Sequence, residues 1–567
     1  MKLLSKLIFT INVHKGRKIA KRFEAVTKEA AAVNQNLLLD LIQRNAETEY
    51  GQKYDFANIH SLSDYQAKVP FSTYDDYAAM VDRTVKDNES GLMTVDSVVH
   101  YALTSGSVDN PKKIPVTEAT IQHYREYMSQ YSFALIDQKL AGKWKKGRGL
   151  NLVEIKFETL PNGCYAGSIS GRGAYSIKNI LHLMFTSPQE ITFPKETMDA
   201  KYLHLRFALP ERELSFIISA FMTSISDLMK YLEMNWEMLV EDIERGTINP
   251  EIKISPELRQ ALEERLRPDP ARAAELKAAF QQGFAEPIIP RIWPEFAFVF
   301  AIGSGSFSVY TDKMRSYLGS IPIYFSAYAA SESLMAICDD IEKQEFVLIP
   351  DSAFFEFIPL ETDAEAGEAV AANLPKTLTM EQLEVGKDYE IVLTNRSGFY
   401  RYRIKDVVRV LGWHNQAPKI KFVYRLNQMV SIAGEKTTEE SVAWAVTEFA
   451  KAVGCQLVDY SVYADTTVSP GRYVVFVETE KPLSLCRLEE YRQVIEAKLS
   501  TANPSIGSKI ASGVLGLTDI KFVQAETYAL YRDMMMMRGI SGNQIKPVRV
   551  FDTPVKEKFF FALIEKE

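Results

Sequence analysis

The chain has 567 residues, a formal net charge of −7, and 46% hydrophobic against 25% charged residues. That supplies ample apolar material for a core and excludes a wholly disordered chain. Lys and Arg number 66 against 73 Asp and Glu, which gives no reason to expect a nucleic-acid partner.

At about 150 residues per domain the length allows roughly three to four units. Cys164, Cys338, Cys455 and Cys486 stand apart with no CxxC pair. They read as reduced thiols in a cytoplasmic protein, with no thiolate metal site. The seven histidines form no HExxH or HxH pattern, so no His-based metal site is expected.

The N-terminal run MKLLSKLIFTINV is interrupted by Lys6, and no small-residue cleavage site follows. It reads as an amphipathic helix packed on the body rather than a signal peptide. No apolar run of about 18 residues occurs, so neither a spanning helix nor a membrane partner is expected. Residues 16–47 have helical periodicity, with Phe23, Val26, Leu37, Leu38, Leu41 and Ile42 on the apolar face.

VDSVVHYALTS reads as a strand ending in a small-residue loop, and 118–137 as helix. Residues 150–235 alternate short apolar runs with turns. Residues 256–284 read as polar helices punctuated by Pro268 and Pro270. From 294 a strand–loop–helix–strand rhythm predicts an α/β sheet, continued by FVLIP and FFEFIPL. Residues 361–380 read as a polar surface insertion. From about 425 the order βαββα suggests a small α+β unit. The Met534–Met537 run has no physical account beyond flexible packing.

Five stretches carry chemistry. Thr104-Ser105-Gly106-Ser107-Val108-Asp109-Asn110-Pro111-Lys112 is a hydroxyl-rich turn after a strand. Its amides and hydroxyls could cradle phosphate, although it is no Walker A loop and an ordinary surface turn fits equally. Tyr328-Ala329-Ala330-Ser331-Glu332 brings an aromatic, a hydroxyl and a carboxylate to a strand end. The ring could stack on a heterocycle and the carboxylate could hold Mg²⁺, or the segment could be a plain strand end.

Tyr402-Arg403-Ile404-Lys405-Asp406 places a carboxylate among arginines. It could accept hydrogen bonds from vicinal hydroxyls or simply pair with an arginine. Arg425 to Glu439 reads as an interdomain strand and turn. Asn543-Gln544-Ile545-Lys546-Pro547 contains a lysine whose ordinary reading is a solvated surface group.

Taken in order, these stretches resemble the adenylate-forming superfamily. Residues 104–112 (TSGSVDNPK) are similar to its TSG[ST]TGxPK loop, 328–332 (YAASE) to YGxTE, and 402–406 (YRIKD) to YRTGD. Residues 424–439 (YRLNQMVSIAGEKTTE) are similar to GRxDxxVKIxGxRIE. NQNLLLDLIQRNAETEYGQKYDF, IWPEFAFVFAIGSGSFSVY, FEFIPL and NQIKP narrow the resemblance to the auxin-responsive acyl acid–amido synthetase, or Gretchen Hagen 3, family. It runs from about residue 30 to about 555. The chain departs from the motifs at Val108 and Asp109 in the phosphate loop, at Lys405 in place of glycine, and at Tyr424 in place of glycine.

The resemblance implies a firefly-luciferase-like α/β fold. A large N-terminal domain (1–424) would hold mixed sheets and a small β-barrel, and a small α+β C-terminal domain (425–567) would follow a hinge. It implies an ATP-dependent ligase that adenylates a small carboxylic acid, releases pyrophosphate, and passes the acyl group to an amino acid amine. Thr104, Ser105, Gly106 and Ser107 would hold phosphates. Tyr328 and Ala329 would lie at adenine, Asp406 and Arg425 at ribose, and Ser331 at the α-phosphate. Glu332 would hold Mg²⁺, and Lys546 would reach the α-phosphate from the small domain. Tyr124, Tyr127 and Phe133 are candidates for the acyl pocket, or plain core. Arg125 is the arginine nearest the phosphate loop. A monomer or weak dimer is expected. Two other readings stay open: a thioester ligase on the same core, and a non-catalytic nucleotide-binding relative.

Overall fold

A computed structural model describes the chain except residues 1, 104–111, 154, 197, 303–313, 342, 361–376, 427–431, 433–434, 436, 539, 541–544, 552 and 566–567. The N-terminal run forms the helix Lys2–Lys28, which buries Phe9, Val13 and Phe23. Phe9 enters an aromatic cluster of Phe133, Trp144 and Phe216, with ring centroids 5.2 to 5.4 Å away. Gly16 lies so close to the Gln130 carbonyl that a Cβ there would collide with it. Only glycine therefore permits this helix to seat on the segment Arg125–Tyr131. A second helix, Ala30–Arg44, buries Leu37, Leu38, Leu41 and Ile42.

Val98–Leu103 and Lys113–Thr117 pair antiparallel, with Leu103 opposite Lys113. These two strands flank the serine-rich stretch. Thr104, Ser105, Gly106 and Ser107 lie outside the described residues, as do Val108 and Asp109. After the second strand, the Thr117 hydroxyl caps Glu118–Tyr124 by accepting from the Thr120 amide. This helix widens into a π-helical segment, Arg125–Tyr131, and continues as Ser132–Lys139.

The apolar runs of the middle region meet in a parallel four-stranded sheet. Its order is Gly149–Asn151, Phe216–Phe221, Phe298–Ile302, Ile323–Phe325. The helix Met222–Arg245 packs beside that layer and buries Leu228 and Leu232, and Pro270–Gln281 packs against this helix and buries Leu276 and Phe280. The α/β rhythm expected from 294 onward forms the last two of these strands. The polar insertion lies in the main outside the described residues.

The chain then turns to antiparallel pairing. Seven strands run in the order Phe354–Pro359, Asp388–Thr394, Tyr402–His414, Ala417–Arg425, Phe346–Leu348, Leu334–Cys338, Ala327–Ala329. This sheet stands where the resemblance implies a small barrel, and its two outermost strands are not paired with each other among the described residues. One contiguous apolar cluster joins these layers from Phe9 to Ile420.

Beyond residue 440 a separate apolar cluster forms around Val446, Phe449, Val475 and Ile495. It lies between the helices Glu439–Val453 and Leu488–Ala502 and a three-stranded sheet of Leu457–Asp465, Arg472–Thr479 and Asp519–Phe522. Met534 and Met536 pack against a third cluster that buries Met535, while Met537 is 78% exposed. The methionine run is thus the end of the helix Thr527–Met537. No helix among the described residues is long and apolar enough to cross a membrane.

Candidate functional site

Three predicted positions meet around one buried carboxylate. Asp406 lies on Tyr402–His414 directly opposite Arg425 on the neighbouring strand. Their register brings the Arg425 Nε to 2.5 Å from Asp406 Oδ1. From Ala327–Ala329 the Tyr328 hydroxyl donates to Asp406 Oδ2 at 2.8 Å. Burial works against the Arg425 charge, but Asp406 overcomes it and holds the guanidinium more basic than usual. Burial and the adjacent Asp406 charge likewise push the Tyr328 phenol well up, so it stays a hydrogen-bond donor. Each carboxylate oxygen keeps a further lone-pair direction, so Asp406 can still accept from a vicinal diol.

Lys405 explains how Asp406 is aimed. Opposite Asp388–Thr394, the step from Arg403 to Val407 spans four residues against two, a bulge in the ladder. Lys405 sits in this bulge at φ +64°, in the left-handed region that favours glycine. The glycine of the related motif meets this backbone demand, and the lysine bears it as strain.

Glu332 lies in the turn between Ala327–Ala329 and Leu334–Cys338, half-buried beside Ser331. The Asn395 amide donates to the Glu332 carbonyl at 2.9 Å. Asn395 Oδ1 also accepts from the Ser397 and Phe399 amides, so one side chain ties two turns together. Burial and the neighbouring Glu332 carboxylate push the Tyr402 phenol up. Burial pushes the Glu332 carboxyl above its ordinary value, Arg425 and Lys112 draw it down, and Asp406 adds to the rise. The Lys112 ammonium stands over the Tyr74 ring, 5.4 Å from its centroid.

No cluster of three or more His, Cys, Asp or Glu suited to a metal exists among the described residues. Mg²⁺ in nucleotide sites takes one or two carboxylates and fills its shell with phosphates and water. A single half-buried Glu332 fits that donor set.

Lys546 comes from the C-terminal part, next to Pro547. It keeps solvent contact, yet it is within electrostatic reach of Arg425, Asp406 and Glu332. Surrounding protein and the like charge of Arg425 lower its pKa, while the carboxylates oppose the fall. The fold therefore gathers Tyr328, Ala329, Ser331, Glu332, Asp406, Arg425 and Lys546 on one locality from strands far apart in sequence. Elsewhere, Arg532 of the C-terminal part forms an ion pair with Asp227 of the helix Met222–Arg245.

Of the acyl-pocket candidates, Phe133 belongs to the aromatic core, stacked on Trp144 and edge-on to Phe9. Tyr127 is fully buried and stacks on His123. Tyr124 lines a cavity with Thr120, His123, Glu332, Asn395 and Arg396. Its hydroxyl donates to the Ala330 carbonyl at 2.6 Å. Arg125 points to solvent.

Tyr402, Asn395 and Arg396 were not singled out from sequence. Tyr402 stands inside the YRIKD motif, and its alternation with Asp406 offered a signal. Asn395 begins a turn before Gly398, where an Asx side chain bonding nearby amides is an ordinary device. Nothing in the order of residues announces that this turn meets Glu332.

The chain is similar to known proteins over nearly its whole length. Residues 19–323, 346–425 and 440–555 match the GH3 family N-terminal, central and C-terminal domains. The chain is 29% identical over 559 residues to an indole-3-acetic acid-amido synthetase, GH3.8, of Oryza sativa subsp. indica, covering 94% of this chain and 90% of that one. It is 27% identical to a jasmonoyl–L-amino acid synthetase, GH3.5, of Oryza sativa subsp. japonica, covering 94% of each. Among solved structures it is similar to the acyl acid amido synthetase AtGH3.15 in complex with 2,4-DB. The TM-score there is 0.83 at 24% identity, over 97% of this chain and 96% of that one. A 2-hydroxyisobutyryl-CoA ligase in the postadenylation state shares the broader fold, with a TM-score of 0.51 at 12% identity over 95% and 92% of the two chains.

Proposed function

The chain belongs to the GH3 family, and on that premise we propose that it is an ATP-dependent acid–amino acid ligase. It adenylates a small carboxylic acid with release of pyrophosphate. It then passes the acyl group to an amino acid amine, giving an amide and AMP. The observation that carries this reading is the convergence of Asp406, Arg425 and Glu332 with Lys546 from the C-terminal part.

Asp406 accepts from the ribose hydroxyls while Arg425 and Tyr328 fix its orientation. What remains open of the Tyr328 ring, with Ala329, borders the adenine. Ser331 donates to the α-phosphate. Thr104, Ser105, Gly106 and Ser107 hold the departing phosphates. Lys546 places a positive charge where negative charge grows as the carboxylate oxygen meets the α-phosphate. Glu332 holds Mg²⁺, which would neutralise phosphate charge when bound. Asn395 keeps Glu332 in place.

The domain division falls after residue 424, and the hinge expected over Arg425 to Gly434 lies mostly outside the described residues. Arg425 is held on Asp406, and the Asn503 amide of the C-terminal part donates to the Glu435 carbonyl at 2.8 Å. A pivot there lets Lys546 leave after adenylation and opens the acyl carbon to the amine. Four separate cysteines, all free thiols, support a cytoplasmic setting.

The test is ATP–pyrophosphate exchange with Mg²⁺ across a panel of aromatic, indolic and fatty carboxylic acids. Mass spectrometry with candidate amino acids then follows the active donor. Acid-dependent exchange and amide formation are expected. Acid-dependent exchange whose product forms with coenzyme A and with no amino acid would overturn the ligase assignment.

A further inference from the structure

The helix Lys2–Lys28 is fixed from one side. Phe9, Val13, Gly16 and Phe23 face the body. Arg22 bonds Glu126 at 2.6 Å and Arg17 bonds Asp137 at 3.1 Å along its flanks. It cannot roll to hide its opposite side. Yet that side is not polar. Leu3 is 83% exposed, Leu4 49%, Leu7 55% and Ile11 46%.

At about 100° per residue these four fall within roughly a quarter of the helix circumference. His14, Lys15, Lys18 and Lys21 continue the same face, all exposed. Lys6, Lys15, Lys18 and Lys21 make no ion pair with a described residue. Residues 2–23 hold seven Lys or Arg and no Asp or Glu, in a chain of net charge −7. The face is thus aliphatic at its start and cationic at its end, over about 27 Å at 1.5 Å per residue.

We propose that this face docks the protein on an anionic membrane surface, lying in the interface plane rather than spanning it. The lack of a spanning segment does not count against this mode of binding. An interfacial helix needs only an aliphatic stripe to enter the headgroup boundary and lysines to meet acidic headgroups. Both are displayed here by a helix whose other face is already committed. The concentration of positive charge, against the sign of the whole chain, selects an anionic surface over an apolar protein patch.

The experiment is co-sedimentation of the full chain with vesicles of phosphatidylcholine alone, or of phosphatidylcholine with phosphatidylglycerol. Binding to the anionic vesicles is expected to exceed binding to neutral ones by about tenfold or more and to fall in high salt. Leu7→Ser with Ile11→Ser, and separately Lys15→Glu with Lys18→Glu, should each cut that binding about tenfold. Both pairs are exposed, so melting and pyrophosphate exchange should be unchanged. No preference for anionic vesicles would overturn the proposal, as would binding untouched by either pair. Sedimentation velocity distinguishes a second copy of the chain. A dimer that the Leu7→Ser, Ile11→Ser pair dissociates would give this face to self-association and reject the membrane.

Discussion

Asp406→Asn tests the centre of the site because two separate consequences can be worked out. The Asp406 side chain is 3% exposed and its partner Arg425 34% exposed. Removing one partner of a fully buried pair costs about 3–5 kcal/mol. Arg425 can reach water, which returns part of that, so the loss should be about 2 kcal/mol. An asparagine also offers only one acceptor oxygen. If it faces the Tyr328 hydroxyl, its amide nitrogens meet the donors of Arg425. Melting of the large domain should drop by about 2 °C.

Nucleotide affinity should fall independently. A hydrogen bond to a charged group contributes about 1.5–3 kcal/mol. Weakening the bonds from a diol therefore predicts an ATP Kd raised about 10- to 100-fold. Titration calorimetry at a temperature well below the melt separates the two effects. Tyr328→Phe is the control, since it removes one neutral donor and should weaken ATP only about fivefold. A folded Asp406→Asn protein with unchanged ATP affinity would refute the ribose assignment. An unchanged melt would refute the reasoning about the ion pair.

The pH profile of pyrophosphate exchange should be narrower than ordinary Glu and Lys side chains would give. Glu332 must be ionised to hold the metal, and its burial sets its pKa above 4.5. Activity is thus lost as pH falls through that raised value. Lys546 must be charged, and its surroundings set its pKa below 10.5, so activity is lost as pH rises through that lowered value. Lys546→Arg should move only the alkaline limb upward, and an unmoved limb would remove Lys546 from the assignment. Lys405→Gly should relieve the left-handed strain and stabilise the protein by about 1 kcal/mol in a urea melt. A destabilised variant would mean that the Lys405 side chain contributes more than the strain costs. Asn395→Ala removes acceptors from the Ser397 and Phe399 amides and the donor to Glu332. It should cost about 2 kcal/mol and slow exchange, and a variant that melts and exchanges normally would end its positioning role.

Much of the fold follows from local pattern. The run VDSVVHYALTS became the strand Val98–Leu103, and the helical spacing of 16–47 became the end of Lys2–Lys28 and the helix Ala30–Arg44. Periodicity is a property of neighbours in the chain, so it survives without knowledge of the rest. The motifs were legible for a related reason, since Tyr328 to Glu332 and Tyr402 to Asp406 are short runs with fixed internal spacing. Lys405 could be read as a departure from glycine, but its positive φ emerges only from the bulge against Asp388–Thr394.

What tertiary structure alone decided is which side chains meet. The Asp406–Arg425 pair follows from antiparallel register, and a slip of one residue would turn Arg425 to the other face. Asn395 reaches Glu332 because two distant turns close on each other. The sequence by itself determined the helix Lys2–Lys28 and its basic run. Only packing decided which face was buried, because its first turns are apolar on both sides and the aromatic cluster around Phe9 takes just one.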